Sequence, residues 1–385
     1  MKLIFTNDIG VNLDSANLMC YFYLKDYFDH EVWDVSNIFG RKGAVKNIDD
    51  AISVDTIEEF EHRLTALTKE QKVVIITNMV ERPWRRLAPI AKKLHVPVVS
   101  TQKNNFFDIL MSKAVTDFSI RMPVNKRLGG LVRKFRWTRT LYSKYKGMDV
   151  KYDYLIAAYN PKPETAKHFI KAHNVKYDEY LSNISSENPI GKKYILFIDC
   201  ALCYHPIDFS APDPNFNVED YLQQLNHYFD LVEEKYQLPV VISLHPVSYG
   251  RLTSEMFGGR QVSYGKTTQL IQHSEMVLCH FSTSLINVVL AQKPAVILYS
   301  NEIVHSQRNN PMICAFAFAK MCGFNLDTLD KPNLTFSAAN LNKYNAFKAK
   351  YLVDITRLKK SNGEILLEAL NAIEKNKIFG GMYDY

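Results

Sequence analysis

From one end of the chain to the other, short runs rich in β-branched and aromatic residues alternate with stretches of helical periodicity, and that alternation leaves few architectures open. Lys2–Thr6, Glu31–Asp34, Val73–Thr77, Val96–Ser100 and Tyr154–Tyr159 read as strands. Helices are predicted over Ser15–Tyr27, Ile57–Leu67, Arg82–Leu94 and Thr165–His173, the third with Pro83 in its first turn, where a missing N–H is tolerated. After a polar stretch at Ser182–Gly191 the alternation resumes with Tyr194–Asp199 (YILFID), a near-continuous apolar run of the kind buried on both faces of a parallel sheet. Val218–Lys235, Thr267–His273 and Ser282–Ala291 follow as helices, with Val240–Leu244, Met276–Cys279 and Ala295–Leu298 as strands. The tail, Asn340–Lys359 and Ser361–Lys375, reads as helical, and Ser361 with Glu364 forms a capping box. This is the pattern of βα units in doubly wound parallel sheets.

At 385 residues the chain exceeds what one core usually organises. Two Rossmann-like α/β domains are expected, 1–185 and 192–385, with C-terminal helices closing the structure. A composition of 47% hydrophobic and 23% charged residues excludes a disordered or collagen-like chain. Six scattered cysteines suit a reducing compartment better than a disulfide framework. The opening residues lack the long apolar stretch of a secretory signal, and no run reaches membrane-spanning length. The expected location is therefore the cytoplasm, either free or peripheral on the inner face of the membrane.

In open parallel sheets ligands bind beyond the carboxyl ends of the strands, so the loops after the strands are where chemistry is expected. In the second half these loops carry Asp199 with Tyr204, His205 and Asp208; His245-Pro246; His280-Phe281-Ser282-Thr283-Ser284; and Ser300-Asn301-Glu302. Hydroxyls between a strand and a helix suit an anionic phosphate, but the same Ser282 would serve equally as a plain helix cap. A histidine at a strand end is likewise often only a packed loop residue. His245, Pro246, Ser282, Thr283, Ser284 and Glu302 form the candidate nucleotide- and phosphate-binding set.

The order strand–His-Pro, short helix, strand–Ser-Thr-Ser–helix, then Lys293-Pro294 opening an apolar strand, resembles the C-terminal domain of GT-B glycosyltransferases of bacterial surface polysaccharide synthesis. These include sialyl- and polysialyltransferases, Kdo transferases and teichoic acid glycerophosphotransferases. The resemblance spans about Tyr194 to Ser300 and implies that His245, Ser282, Thr283 and Ser284 bind the phosphate of a cytidine nucleotide donor. It further implies transfer of a Kdo or sialic-acid-like nonulosonate from a CMP donor to a capsule, O-antigen or lipooligosaccharide acceptor. A CDP-alditol phosphotransferase, an epimerase on the same fold, and a non-catalytic scaffold of a polysaccharide assembly complex stay open beside it.

Stabilising a departing phosphate needs a metal or protein donors. The chain has no Asp-x-Asp triplet, and a histidine with several hydroxyls could serve, so neither a metal nor another cofactor is expected. The acceptor hydroxyl needs a base, or a retaining enzyme a nucleophile; Asp8, Asp199, Asp208 and His205 are the candidates. Cys200 and Cys203 form one C-x-x-C without the second ligand pair of a zinc site. The remaining distinctive segment, about 121–147, holds nine Lys/Arg between Arg121 and Lys146 and no acid. Arg127, Arg133, Lys134, Arg136, Trp137 and Arg139 there read as a basic amphipathic patch for an anionic membrane or a glycan acceptor, or as a solvated helical face. No nucleic-acid-binding signature accompanies it, so nucleic acid is not an expected partner.

Overall fold

The computed structural model describes residues 1–41, 48, 50–79, 81–101, 151–159, 166–202, 216–306, 311–375 and 382–384. Among the described residues, seven parallel strands build the first sheet: β1 Lys2–Asn7, β2 Asp29–Asp34, β3 Ile52–Ser53, β4 Val73–Thr77, β5 Val98–Ser100, β6 Tyr152–Ala157 and β7 Ala166–Lys171. Their spatial order is β7-β6-β5-β4-β1-β2-β3. The second sheet holds β8 Ile195–Ile198, β9 Val240–Ser243, β10 Val262–Ser263, β11 Met276–Cys279, β12 Ala295–Tyr299 and β13 Asn325–Thr328. All are parallel, in the order β10-β9-β8-β11-β12-β13. A last strand, β14 Met382–Asp384, runs antiparallel to β7 at the edge of the first sheet. Counted within each sheet, both follow the order 3-2-1-4-5-6 of a Rossmann-type sheet, the first extended by β7 and β14. The α/β architecture with two Rossmann-like units is thus present.

The apolar strands explain the layering. In β1 and β4, Ile4, Val73 and Ile75 face one core with Trp33, Phe60, Leu64 and Trp84, while Leu3, Phe5, Val74 and Ile76 face the other. Each such side chain contributes about 1.5–3 kcal/mol on burial, so both faces must be covered. The helix Ile57–Glu70 covers the first face with Phe60 and Leu64.

By compactness the chain divides into two units; among the described residues the first comprises 1–101, 151–178 and 351–384 and the second 179–350. The C-terminal helix thus differs in place from the expected grouping with the second domain. Over Asn362–Glu374 it lays Ile365, Leu366, Ala369, Leu370 and Ile373 against Leu3, Phe5 and Val74 of the first unit. The expected capping box is formed by Ser361 and Glu364, and Lys72 Nζ donates to the carbonyls of Ile373 and Glu374 at 2.8 and 2.9 Å, closing the other end. At Gly363 an added Cβ would lie 2.5 Å from the Tyr23 ring, so only glycine permits this approach.

Four expected helices differ from the structure. Thr165–His173 is not a helix but contains β7, whose Ala166, Phe169 and Ile170 are buried and whose backbone pairs with β6. Six residues without strong propensity take the state that a neighbouring strand edge offers. Ser15–Tyr27 is interrupted at Cys20, which has a φ of 53°, between helices Leu13–Leu18 and Tyr21–Leu24. Arg82–Leu94 splits into Glu81–Trp84 and Ala88–Lys93. Asn340–Lys359 is helical over Leu341–Phe347, passes through a π-helical turn at Lys348–Leu352 and then leaves the helix, because the Asp354 N–H donates to His173 Nδ1 at 3.1 Å. The apolar run at 312–321 lies in an internal helix, Pro311–Cys322, that buries Cys314, Ala315 and Phe318. Among the described residues no helix is long and apolar enough to cross a membrane.

Candidate functional site

In each sheet the strand order reverses beside its first strand, at β1 and at β8, and the loops leaving the carboxyl ends there are the ones a ligand can enter. In the second sheet Asp199 leaves β8, His245 leaves β9, Ser282–Ser284 leave β11 and Ser300 leaves β12. The sequence candidates described in this unit therefore gather on one sheet edge.

Asp199 is buried, and both of its oxygens are engaged by backbone. Oδ1 accepts the Ala201 N–H at 2.8 Å, and Oδ2 accepts the His245 N–H at 3.1 Å. The carboxylate thus ties the β8 loop to the β9 loop and sets where His245 begins. Ala201 adopts a φ of 53° to make that turn.

His245 caps a short 3-10 turn, Pro246–Ser248, with Pro246 at its first position. Its Nδ1 accepts the Val247 N–H at 3.2 Å. With Nδ1 accepting, Nε2 is the ring nitrogen that donates. Ser282 Oγ accepts the Ser284 N–H at 3.1 Å and keeps its own proton as a donor; Ser282 and Ser284 are half-buried and Thr283 is exposed. The helix that follows is short, Leu285–Leu290. Glu302 stands half-buried in the first turn of Asn301–Ser306, whose start is capped by Ser300 Oγ accepting the Ile303 N–H at 3.2 Å.

His280 has a different part from its neighbours in the same loop. It is fully buried, donates from Nδ1 to the Leu298 carbonyl at 2.8 Å, and accepts at Nε2 from the Tyr221 hydroxyl at 2.8 Å. Burial pushes its pKa down to about 4, so the ring is neutral. It joins β11, β12 and the helix Val218–Tyr236, and packs edge-on against Phe197.

In the first unit, Asp8 leaves the carboxyl end of β1 and pairs with Arg41 Nη1 at 2.6 Å. Burial raises its pKa above the usual carboxylate value, while Arg41 and its own backbone N–H draw it back. Beneath it lies a feature that the candidate residues did not include. Thr6, Thr77 and Ser100 stand in register on neighbouring β1, β4 and β5, all wholly buried, and Thr6 Oγ1 and Ser100 Oγ have no hydrogen-bond partner among the described residues. Its sequence signal is a hydroxyl residue near the carboxyl end of each apolar strand.

His205, Asp208, Cys203 and the basic segment with Arg127, Arg133, Lys134, Arg136, Trp137 and Arg139 lie outside the described residues. Among the described residues, no group of three or more His, Cys, Asp or Glu is placed to hold a metal ion.

The class these observations define is a protein of two Rossmann-like α/β units with polar loops at the switch point of each sheet. No family model and no curated relative matches the chain. Among solved structures it is similar to MnaA of S. aureus with UDP, at 14% identity over 100% of both chains and a TM-score of 0.43. It is also similar to the wall teichoic acid polymerase TagF, at 13% identity over 97% of this chain and 89% of that one, with a TM-score of 0.45. A third is the glycotransferase of kitacinnamycin, at 10% identity over 98% and 99%, with a TM-score of 0.43. Likenesses of this size identify no family, and the class rests on the chain's own sheets and loops.

Proposed function

We propose that this protein is a GT-B glycosyltransferase that binds the phosphate of a nucleotide sugar at the carboxyl edge of its second sheet. The observation that carries this reading is the pairing of two donor groups on opposite sides of β8: the His245 ring, with its proton on Nε2, and the Ser282–Ser284 loop. In transfer, the acceptor hydroxyl attacks the anomeric carbon, the bond from that carbon to the phosphate oxygen breaks, and the nucleotide departs with added negative charge. His245 Nε2–H and the serine hydroxyls stabilise that charge without a metal. Asp199 acts through His245, which it positions. The proton of the acceptor hydroxyl passes to a carboxylate or histidine base, for which the sequence offers Asp8, Asp199, Asp208 and His205.

The favoured donor is a CMP-linked nonulosonate or Kdo-type sugar, and the favoured acceptor a bacterial surface glycan, in keeping with the sequence resemblance at His245-Pro246 and Ser282-Thr283-Ser284. A thermal-shift panel of CMP, CDP, UMP, UDP, GDP and dTDP, each with and without EDTA, tests this. A ligand at about 100 times its Kd adds about 2.7 kcal/mol of stability. Stabilisation by CMP that survives EDTA supports the proposal. Stabilisation by CDP alone supports alditol-phosphate transfer instead, and no shift with any nucleotide overturns the phosphate site.

A further inference from the structure

Most aromatic rings of the second unit are buried or half-buried, as the hydrophobic effect demands. Among its described residues two stay exposed, Tyr249 at 38% and Tyr264 at 50%, and they touch each other. Their ring centroids lie 4.8 Å apart at an interplanar angle of 84°. The pair stands at a particular place. Tyr249 ends the turn that His245 caps, and Tyr264 follows the last residue of β10.

Strand register fixes how near this is to the phosphate-binding residues. Ser243 of β9 pairs with Ser263 of β10, and the Leu244 N–H donates to the Ser263 carbonyl at 3.1 Å. In this register Tyr264 leaves β10 beside Leu244, one residue before His245, with strands about 4.8 Å apart. The pair is also held in place. The Tyr249 hydroxyl accepts the Gly265 N–H at 2.9 Å, and Gly265, with a φ of 70°, turns the chain where an added Cβ would meet nothing within 4 Å. Arg251 and Lys266, both exposed, follow Tyr249 and Tyr264 by two residues each.

An anchored, solvent-facing aromatic pair near a phosphate-binding histidine suits a flat, neutral ring tethered to an anion. We propose that Tyr264, held edge-on by Tyr249, is the stacking platform for the nucleobase of the donor, with the phosphate at His245. This inference rests on the nucleotide-binding reading above and adds to it the side of β8 on which the base lies, over β9 and β10.

The test is calorimetric titration of the full chain and of Tyr264→Ala and Tyr264→Phe with CMP and with UDP, using ribose 5-phosphate as a base-free competitor. Stacking on an aromatic side chain is worth about 1–3 kcal/mol per base, so Tyr264→Ala should weaken the bound nucleotide by about 5- to 150-fold. Tyr264→Phe should bind within about threefold of the original chain, and the dissociation constant of ribose 5-phosphate, taken from its competition, should be the same in all three proteins. Tyr264 is half exposed, and an unchanged melting temperature confirms that the variants are folded. Unaltered nucleotide affinity in Tyr264→Ala overturns the platform and leaves the phosphate site standing. Equal weakening of nucleotide and ribose 5-phosphate also overturns it, because the base then has no part in the loss. Failure of the original chain to bind either nucleotide overturns the phosphate-site reading itself.

Discussion

The carboxylate of Asp199, at the end of β8, accepts the backbone N–H of His245 at the end of β9, 3.1 Å away, while its other oxygen holds the Ala201 N–H. Two loops that leave neighbouring strands are thereby joined by one side chain. In Asp199→Asn the amide turns an NH2 group toward one of these N–H donors, and one hydrogen bond becomes a repulsion. The expected loss is about 1–3 kcal/mol of stability. Nucleotide affinity should fall by more than the stability change accounts for, because His245 is displaced. Denaturant unfolding and nucleotide titration of the same variant check both; unchanged affinity would show that Asp199 does not position His245.

His245→Ala removes the proposed phosphate donor and the acceptor of the Val247 N–H together. Stability should change by about 1 kcal/mol, as for loss of a cap. Nucleotide-dependent thermal stabilisation and transfer activity should disappear. His245→Asn, which can still accept from Val247, should keep the fold of the turn and yet lose the response to nucleotide.

His280 makes stability depend on pH. Its pKa is lowered from 6.5 to about 4 in the folded chain, so between these values the unfolded chain binds more protons. The folded state is fully favoured above about pH 6.5, and its stability declines as the pH falls toward 4, by up to about 3 kcal/mol. Urea unfolding from pH 7.5 to 4 should show this decline. In His280→Gln the chain should be weaker at pH 7 by about 1–3 kcal/mol, because the Tyr221 hydroxyl and the Leu298 carbonyl lose their bonds to the imidazole, and its pH slope should be shallower.

Gly363→Ala places a methyl group 2.5 Å from the Tyr23 ring carbon at the start of the C-terminal helix. The expected cost is about 1–3 kcal/mol, since the ring or the helix must shift. Tyr23→Ala should relieve that cost in the double variant. A double-mutant cycle measured by chemical denaturation reads the coupling, and purely additive effects would contradict the contact.

Much of this architecture is legible in local pattern. Val73–Thr77, Thr267–His273 and Met276–Cys279 have the bounds that their apolar runs or helical period predict. The parallel α/β class follows because strands such as Ile195–Ile198 are apolar on both faces and need helices on each. The Ser361 capping box is equally local, with both partners within one helical turn. Residues 166–171 were not legible: their side chains suit either state, and β6, with its unpaired edge, decides. The placement of Asn362–Glu374 against Leu3 and Phe5 depends on residues hundreds of positions apart, which periodicity does not connect.

The candidate site divides in the same way. Its residue types and their positions after strands were written in the sequence, because a strand's end is marked by where its apolar run stops. What each polar side chain does was decided by tertiary structure alone. His280 and His245 each follow a strand of the same sheet. The first is enclosed by Leu298, Tyr221 and Phe197 and made neutral, while the second has Nδ1 engaged by its own turn and its proton on Nε2. Asp199 became a tie between loops because two backbone N–H groups, one from a neighbouring strand, converge on it. Local sequence sets which groups are available; burial and the partners brought by distant strands set their charge, their tautomer and so their chemistry.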